Sequence, residues 1–238
     1  MIITGKNSVL EALNSTKTIN RVYILKTLHD SFCTKVVDLC KAKGIRFDFV
    51  DKQVLDKLGP HHQGFGADIT DFVYSTLDDI LQNKKGENNF ILVLDQIEDP
   101  HNFGSIIRVA ECGGVDGIII ENRHNCLVNQ TVYKTSCGAV NHVKIAKVGN
   151  INDAIKTLQK QNIWVYCAEA GGQSVFESNL TGNIAVVMGS EGFGVGALTK
   201  KICDGIISLP MFGKVNSLNV STATSAIVYE IIRQRNKK

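Results

Sequence analysis

The stretch that decides the fold is residues 90–120, FILVLDQIEDPHNFGSIIRVAECGGVDGIII, in which two short apolar runs flank a segment of helical length. Phe90–Leu94 and Gly117–Ile120 consist mainly of large aliphatic residues, as is typical of strands that are buried on both faces. The segment between them starts at a proline turn and is long enough for a helix that covers the sheet. This alternation predicts a βαβ unit of a parallel α/β sheet.

The same alternation continues towards the C-terminal end. Residues 151–161 carry apolar side chains at helical spacing between two apolar runs. In parallel sheets the ligand lies beyond the carboxyl ends of the strands, so the loops that follow the runs are the candidate sites. The further predicted strands are Val143–Ile145, Ile163–Cys167, Ile184–Met188 and Gly205–Leu209.

The N-terminal part predicts a separate, small α/β domain. Residues 81–89 are polar and contain glycine, as expected of an exposed connection. We therefore expect a first domain at residues 1–72, a linker at 73–89 and a second domain at 90–238. The predicted elements of the first domain are a helix near Ser8–Leu13, a strand at Arg21–Leu25, a helix near Phe32–Ala42 and a strand at Arg46–Val50.

Composition excludes some classes of protein. The 238 residues are 44% hydrophobic and 21% charged, which is ordinary for a globular chain. Because no apolar run approaches the roughly 20 residues of a membrane span, and the first residues lack a secretory pattern, we expect a cytoplasmic protein without a membrane partner. The net charge of +3 lies within residues 1–70, with 10 Lys and Arg against 7 Asp and Glu. That surplus is compatible with phosphate contacts, although a solvated lysine-rich face is its commoner explanation.

The seven cysteines indicate neither a disulfide framework nor a metal site. They include no Cys-x-x-Cys pair, and their number is odd. Their spacing does not suggest zinc. We expect most of them to be small buried residues in a reducing compartment, and we predict no metal.

The first candidate loop is Asp95–Arg108, DQIEDPHNFGSIIR, which runs from a strand end into a helix. Asn102 is a residue type that often caps a helix start, and Arg108 lies six residues further on. From these residues alone, a helix cap and a solvated arginine are the more economical interpretation.

The second candidate loop is Met188–Gly196, MGSEGFGVG, whose four glycines let a ligand approach the backbone. Residues 192–197 fit G-x-G-x-x-A, a variant of the dinucleotide-binding fingerprint. That match lacks its context, because the strand is late and the next strand ends without an acidic residue for a ribose. A purely structural glycine turn stays open, but Glu191 inside it favours a binding role.

The third candidate loop is Ile207–Ser221, ISLPMFGKVNSLNVS. Pro210 and Gly213 shape its turn. A structural role for its polar residues is also open, because a long final helix needs a cap. The candidate caps are Ser217, Asn219 and Ser221.

Taken in this order, the three loops resemble the three motifs of the SpoU-type RNA ribose methyltransferases of the SPOUT superfamily. The matching segments are NFGSIIR at 102–108, MGSEG at 188–192 and LPMFGKVNSLNVS at 209–221. Residues 5–13 and His62-Gln63-Gly64 also resemble the small ribosomal-protein-like RNA-binding domain of one branch. That branch modifies a guanosine ribose in large-subunit (23S) ribosomal RNA.

The resemblance implies transfer of a methyl group from S-adenosylmethionine to a ribose 2'-hydroxyl of RNA, without a metal. It also implies a deep trefoil knot in the C-terminal parallel-sheet domain and a homodimer through that domain, whereas strand periodicity alone predicts an unknotted sheet. The residues implied at the reacting centre are Asn102, Arg108, Glu191, Ser217 and Asn219. Those implied around the cofactor are Gly189, Ser190, Gly192, Leu209, Met211, Leu218 and Asn219.

The family pattern often assigns removal of the ribose proton to the residue that matches Arg108. That role is physically difficult, because a guanidinium is a very weak acid and stays protonated at neutral pH. We expect Arg108 to fix the RNA phosphate beside the target ribose and to stabilise the developing oxyanion. Glu191 and Asn102 then hold the loops and Arg108 in position.

Two alternatives stay open. The three motifs fit the same reaction on transfer RNA, although the N-terminal domain favours ribosomal RNA. A nonenzymatic RNA-binding or ribosome-assembly protein is the second alternative, and loss of Arg108 or Glu191 would have supported it. His61 and His62, beside a proline turn, are more often loop surface than RNA contacts.

Overall fold

The computed structural model describes residues 1–15 and 18–236, which divide into two compact units. Unit 1 comprises Met1–Val73 and Val128–His142, and unit 2 comprises Tyr74–Leu127 and Val143–Lys238. In chain order the elements are β1 (Ile2–Thr4), α1 (Lys6–Asn14), β2 (Ile19–Leu25), α2 (Ser31–Ala42), β3 (Phe47–Val50), α3 (Lys52–Leu58), β4 (Phe65–Ile69), α4 (Leu77–Gln82), β5 (Phe90–Leu94), α5 (Pro100–Cys112), β6 (Gly117–Glu121), α6 (Gln130–Thr135), a 3₁₀ turn (Ala139–Asn141), β7 (Ile145–Val148), α7 (Ile151–Lys160), β8 (Trp164–Ser174), β9 (Ile184–Met188), α8 (Ala197–Ile202), β10 (Gly205–Ser208) and α9 (Val220–Arg235).

Unit 1 is a four-stranded mixed sheet in the order β1-β4-β2-β3. β2 pairs in parallel with β3 and antiparallel with β4, and β1 pairs antiparallel with β4. The two predicted strands and two predicted helices of this unit are present, but β1, β4 and α3 had not been assigned from the sequence. Ile3, Val22 and Phe65 are completely buried and form part of its core.

The segment 128–142 packs with unit 1, although it follows β6 in the chain. The Gln130 side chain donates to the backbone oxygen of Leu58, at 3.3 Å. Tyr133 is completely buried, and its backbone oxygen accepts a hydrogen bond from Ser8 Oγ. The expected second domain, 90–238, is therefore interrupted by a segment that completes the first.

His62 in unit 1 builds the loop before β4. Its Nδ1 accepts the backbone N–H of Gly64 at 2.9 Å, and its Nε2 lies 3.1 Å from Asp56 Oδ1. Only 8% of His62 is exposed, so this ring is not loop surface as expected, whereas His61 is exposed.

Unit 2 contains a six-stranded sheet in the order β10-β8-β9-β5-β6-β7, and every adjacent pair is parallel. This confirms the predicted parallel α/β sheet, and the bounds of β5 and β9 are those predicted. β8 extends to Ser174, seven residues beyond the predicted end. The trefoil knot stays a prediction.

Part of the expected linker belongs to the core of unit 2. Residues 77–82 form α4, which starts with a capping box between Thr76 and Asp79. Ile80 is completely buried, and its side chain fills the space over Gly117, where an added Cβ would lie 2.6 Å from Ile80 Cγ1.

Candidate active site

The carboxyl ends of β9 and β10 meet the middle of β8 at one edge of the unit 2 sheet, around a cavity of about 610 Å³. The loops that follow β9 and β10 supply most of its wall, together with the start of α9. Each residue expected around the cofactor lies in this wall except Asn219, and Glu191 and Ser217 lie there too. The predicted site residues that line the cavity are Gly189, Ser190, Glu191, Gly192, Leu209, Met211, Ser217 and Leu218.

The loop after β9 closes on itself. Ser190 N donates to Gly194 O at 3.1 Å, and Gly194 N donates back to Ser190 O at 3.0 Å. A Cβ on Gly189 would lie 2.2 Å from the carbonyl carbon of Gly194, so only glycine permits this approach. Gly194 has φ +66°, a left-handed backbone conformation that glycine adopts without steric cost. Residues 190–194 therefore form a ring closed by two backbone hydrogen bonds, called the glycine ring below, and this ring carries Glu191.

Asn102, Glu191 and Asn219 form a closed polar network beside the cavity. Asn102 Nδ2 donates to Glu191 Oε1 at 3.1 Å, and Asn219 Nδ2 donates to Asn102 Oδ1 at 2.9 Å. Asn219 Nδ2 also donates to Glu191 Oε1. Glu191 and Asn219, which lie 89 and 117 positions after Asn102 in the sequence, are thus joined to it.

The cap of α5 is not Asn102. Asp99 occupies the N-cap, and its side chain accepts from the backbone N–H groups of His101 and Asn102. Pro100 takes the first helical position, where its missing N–H costs nothing. Because Asp99 does the capping, the Asn102 side chain is available to Glu191.

Asn219 is the cap of α9 among the three candidates. Its Oδ1 accepts the backbone N–H of Ser221 at 3.0 Å and that of Thr222 at 3.4 Å. The amide therefore uses its oxygen for the helix and its nitrogen for the network.

Arg108 lies on α5, six residues after Asn102. Arg108 is exposed, whereas Asn102 is buried. Six residues of an α-helix turn through about 240°, so the two side chains leave α5 on different faces. It is not part of the described cavity wall. The structure therefore brings four of the five expected reacting-centre residues to the cavity or its network, and leaves Arg108 on the surface.

Three residues that sequence reasoning missed lie around the loop after β9: Asp95, Glu169 and Lys200. Glu169 lines the cavity, because β8 continues past the predicted end. Asp95 directly follows β5 and is only 5% exposed. For Asp95 the available signal was a carboxylate immediately after a buried strand, whereas Glu169 lies within β8 and had no such signal.

The cavity suits S-adenosylmethionine by the chemistry of its wall. Leu209, Met211 and Leu218 offer apolar surface, while the glycine ring offers backbone groups. Ser190 Oγ is buried without a protein partner, so it has hydrogen-bonding capacity to spare. The described ranges, 1–15 and 18–236, hold no group of three or more His, Cys, Asp or Glu placed to bind a metal. Over the same ranges, no helix has the length and apolar character to cross a bilayer.

Comparison with known proteins identifies the family. Residues 89–229 match the model described as the SpoU rRNA Methylase family, which is more than half of the chain. The chain belongs to the SpoU rRNA methylase family. Residues 2–75 of this SpoU protein match a second model, described as RNA 2'-O ribose methyltransferase substrate binding.

Similar proteins cover the full length of this SpoU methylase. It is 38% identical to the "Putative TrmH family tRNA/rRNA methyltransferase YacO" of Bacillus subtilis, over 98% of this chain and 96% of the relative. It is 37% identical to a Staphylococcus saprophyticus protein named "Putative TrmH family tRNA/rRNA methyltransferase", over 99% and 96%.

Solved structures show the same fold. The SpoU methyltransferase AviRb from Streptomyces viridochromogenes, in complex with AdoMet, superimposes with a TM-score of 0.85 at 22% identity, over 99% of this chain and 90% of AviRb. An AdoMet-bound rRNA methyltransferase from Sinorhizobium meliloti gives 0.82 at 22% identity, over 99% and 88%.

Membership of the SpoU family confirms the predicted enzyme class and cofactor. The protein is an S-adenosylmethionine-dependent RNA methyltransferase of the ribose 2'-O type. The matched substrate-binding region lies almost entirely in unit 1, and the matched methylase region lies in unit 2 except for residues 128–142, which belong to unit 1.

Proposed function

We propose that this enzyme methylates the ribose 2'-hydroxyl of a guanosine in large-subunit (23S) ribosomal RNA. The observation that carries the proposal is the convergence of the second and third loops on one cavity, to which the first loop is joined through the Asn102–Glu191–Asn219 network. The match of residues 2–75 to a substrate-binding family supports a structured RNA as the substrate. Transfer RNA is the alternative, since the Bacillus subtilis relative is named for both kinds of RNA.

The chain's own groups would hold the cofactor in this cavity. The backbone around Gly189, Leu209 and Leu218 forms the wall, and Ser190 Oγ is available for a hydrogen bond. When bound, S-adenosylmethionine supplies an electrophilic methyl group. The task left to the protein is to place the ribose oxygen in line with that group and to let the hydroxyl proton leave.

We assign holding roles to the network and an RNA-binding role to Arg108. Glu191 accepts two amide donors through the same oxygen, which fixes the glycine ring against α5 and α9. Arg108 is exposed, so its planar guanidinium is accessible to a phosphate of the RNA. It then stabilises negative charge as the ribose oxygen loses its proton.

Two aromatic side chains near the cavity support a substrate with unpaired bases. Phe193 lies in the cavity wall and is 90% exposed, while Phe212, beside Met211, is 95% exposed. Proteins that bind single-stranded RNA stack its bases on such exposed rings. We infer that the target nucleotide is splayed out of its helix when its ribose reaches the cavity.

A homodimer through unit 2 is part of this proposal. Leu198 on α8 and Tyr229 on α9 are both more than half exposed, and they offer apolar surface for a second copy. Sedimentation of the purified protein tests this point, with a dimer expected and a monomer contradicting it.

Deleting the gene and mapping 2'-O-methylation in ribosomal and transfer RNA tests the substrate. We expect one guanosine of large-subunit RNA to lose its methyl group and to regain it with the wild-type gene. Arg108→Ala should fail to restore it while the purified variant still binds S-adenosylmethionine, and Arg108→Lys should restore it poorly, because Lys lacks the planar fork. Loss confined to transfer RNA would establish the alternative substrate, and full restoration by Arg108→Lys would contradict the role of Arg108.

A further inference from the structure

The loop that carries Glu191 is held from both sides by carboxylates of the neighbouring strands. β9 lies between β8 and β5 in the sheet. Glu169 of β8 accepts the backbone N–H of Val195 through Oε2, at 3.1 Å. Asp95, just after β5, accepts the N–H of Gly196 through Oδ2, at 2.9 Å. Two consecutive N–H groups of the loop are therefore held by carboxylates that come from the two sides of β9.

Glu169 also contacts the glycine ring and the helix that follows it. A Cβ added to Gly194 would lie 2.5 Å from Glu169 Oε2, so the carboxylate packs directly on the ring. Lys200 on α8 places Nζ 2.8 Å from the same oxygen. Both side chains of this ion pair are largely shielded from solvent, at 24% and 32% exposed. One carboxylate thus joins the middle of β8, the ring and α8.

The charges of this pair persist at neutral pH. Burial alone would raise the pKa of Glu169, but hydrogen bonds from Lys200 and Val195 outweigh it and lower the pKa. The hydrogen bond to Glu169 raises the pKa of Lys200. A carboxyl group with a lowered pKa loses its charge only in acid, so the ion pair is intact wherever the enzyme is assayed near neutrality.

We propose that Glu169 and Lys200 are positioning residues for the methyl-transfer site, and this inference rests on the proposed function. They act through the ring: Glu169 fixes Val195 and Gly194, Lys200 fixes Glu169, and the ring then presents Glu191 to Asn102 and Asn219. Lys200 is absent from the described cavity wall, so its effect on catalysis is indirect. Glu169 lines the cavity, so direct binding of the cofactor by Glu169 is the rival role that the test must separate.

The test uses the full chain with Lys200→Met, Lys200→Arg and Glu169→Gln, and Lys201→Met as the matched control. Lys201→Met removes the same charge from the next, exposed position of α8. The measurements are kcat for methylation of the unmodified RNA substrate, the Kd of S-adenosylmethionine by calorimetry, and hydrogen exchange of residues 189–196. Lys200→Met should lower kcat about tenfold and speed exchange of the loop, because misplaced catalytic groups cost rate. Lys200→Arg should restore both, and Lys201→Met should change neither.

Each other outcome overturns the inference. If Lys200→Met leaves kcat and exchange unchanged while Glu169→Gln weakens cofactor binding, Glu169 binds the cofactor directly. If Lys200→Met only lowers the melting temperature, the pair is merely structural. Glu169→Gln keeps an acceptor for Val195 but loses the ion pair, so it supplies the kcat measurement should Lys200→Met not fold. Calorimetry and exchange need no RNA, so failure of the proposed substrate stays distinguishable from failure of this inference.

Discussion

At the scale of single residues, Asn219 shows how one side chain serves both the fold and the site. Its oxygen caps α9, and its nitrogen donates to Asn102 and Glu191. Asn219→Ala should therefore cost about 1 kcal/mol of unfolding free energy from the lost cap and should also abolish methyl transfer. Thermal unfolding and a methylation assay measure the two effects.

Asn219→Asp separates the two roles of this residue. Aspartate is an equally good cap, so the stability of α9 should be kept. It replaces the donor that faces Glu191 by a carboxylate oxygen, so two negative charges meet where a hydrogen bond stood. We expect a folded but inactive variant, and an active Asn219→Asp would show that the network does not need the donor.

The residues of the site were predictable to different degrees. Asn102, Glu191 and Asn219 lie in motifs that the sequence shows, but no spacing rule reveals that they bond to one another. Asn102 was a reasonable cap by residue type, and Asp99, three residues earlier, displaced it. Glu169 had no motif around it, because its role depends on β8 lying next to β9, which only the folded sheet establishes.

At the scale of elements, β5 and β9 were predicted to the residue, whereas β1, α4 and α8 were not assigned from the sequence. β5 and β9 are buried along their whole length, so five consecutive apolar residues identify them. β1 has only three residues, and α4 and α8 have six each, too few for a periodic pattern. β8 extends through a glycine-rich polar stretch because β10 pairs with it beyond an irregularity at Ile206 and Ile207.

The loop after β9 yields a prediction about its glycines. Gly189→Ala places a Cβ 2.2 Å from backbone carbon and 2.4 Å from backbone oxygen of Gly194, and neither atom can move without opening the ring. We expect cofactor binding to weaken by at least about tenfold, measured by calorimetry without RNA. Gly213→Ala is the control, because no atom lies within 4 Å of its added Cβ. Equal affinities for the two variants would mean that the ring is not needed for binding.

At the scale of the whole molecule, unit 1 is built from two segments that are not adjacent in the sequence. The family match for substrate binding ends at residue 75, yet unit 1 also needs residues 128–142. His142 Nε2 lies 2.9 Å from Glu11 Oε2, and Gly138 packs so closely on Glu11 that an added Cβ would lie 2.3 Å from its Cβ. Sequence periodicity could not reveal this, because the hydrogen-bond partners of the segment in unit 1 lie 72 to 131 positions away.

Because unit 1 includes residues 128–142, a chain that lacks residues 1–73 should no longer hold this segment in place. In a fragment of residues 74–238, the segment 128–142 loses its partners in unit 1, and Tyr133, completely buried in the full chain, becomes exposed. Proteases cut where a segment opens locally, so trypsin should cleave the fragment after Lys134 much faster than the full chain. Lys156 is the internal control, because it is exposed on α7 within unit 2 and keeps its surroundings in both proteins. Mass spectrometry of timed digests gives both rates, and a fragment that resists cleavage at Lys134 as well as the full chain does would show that unit 2 alone holds this segment in place.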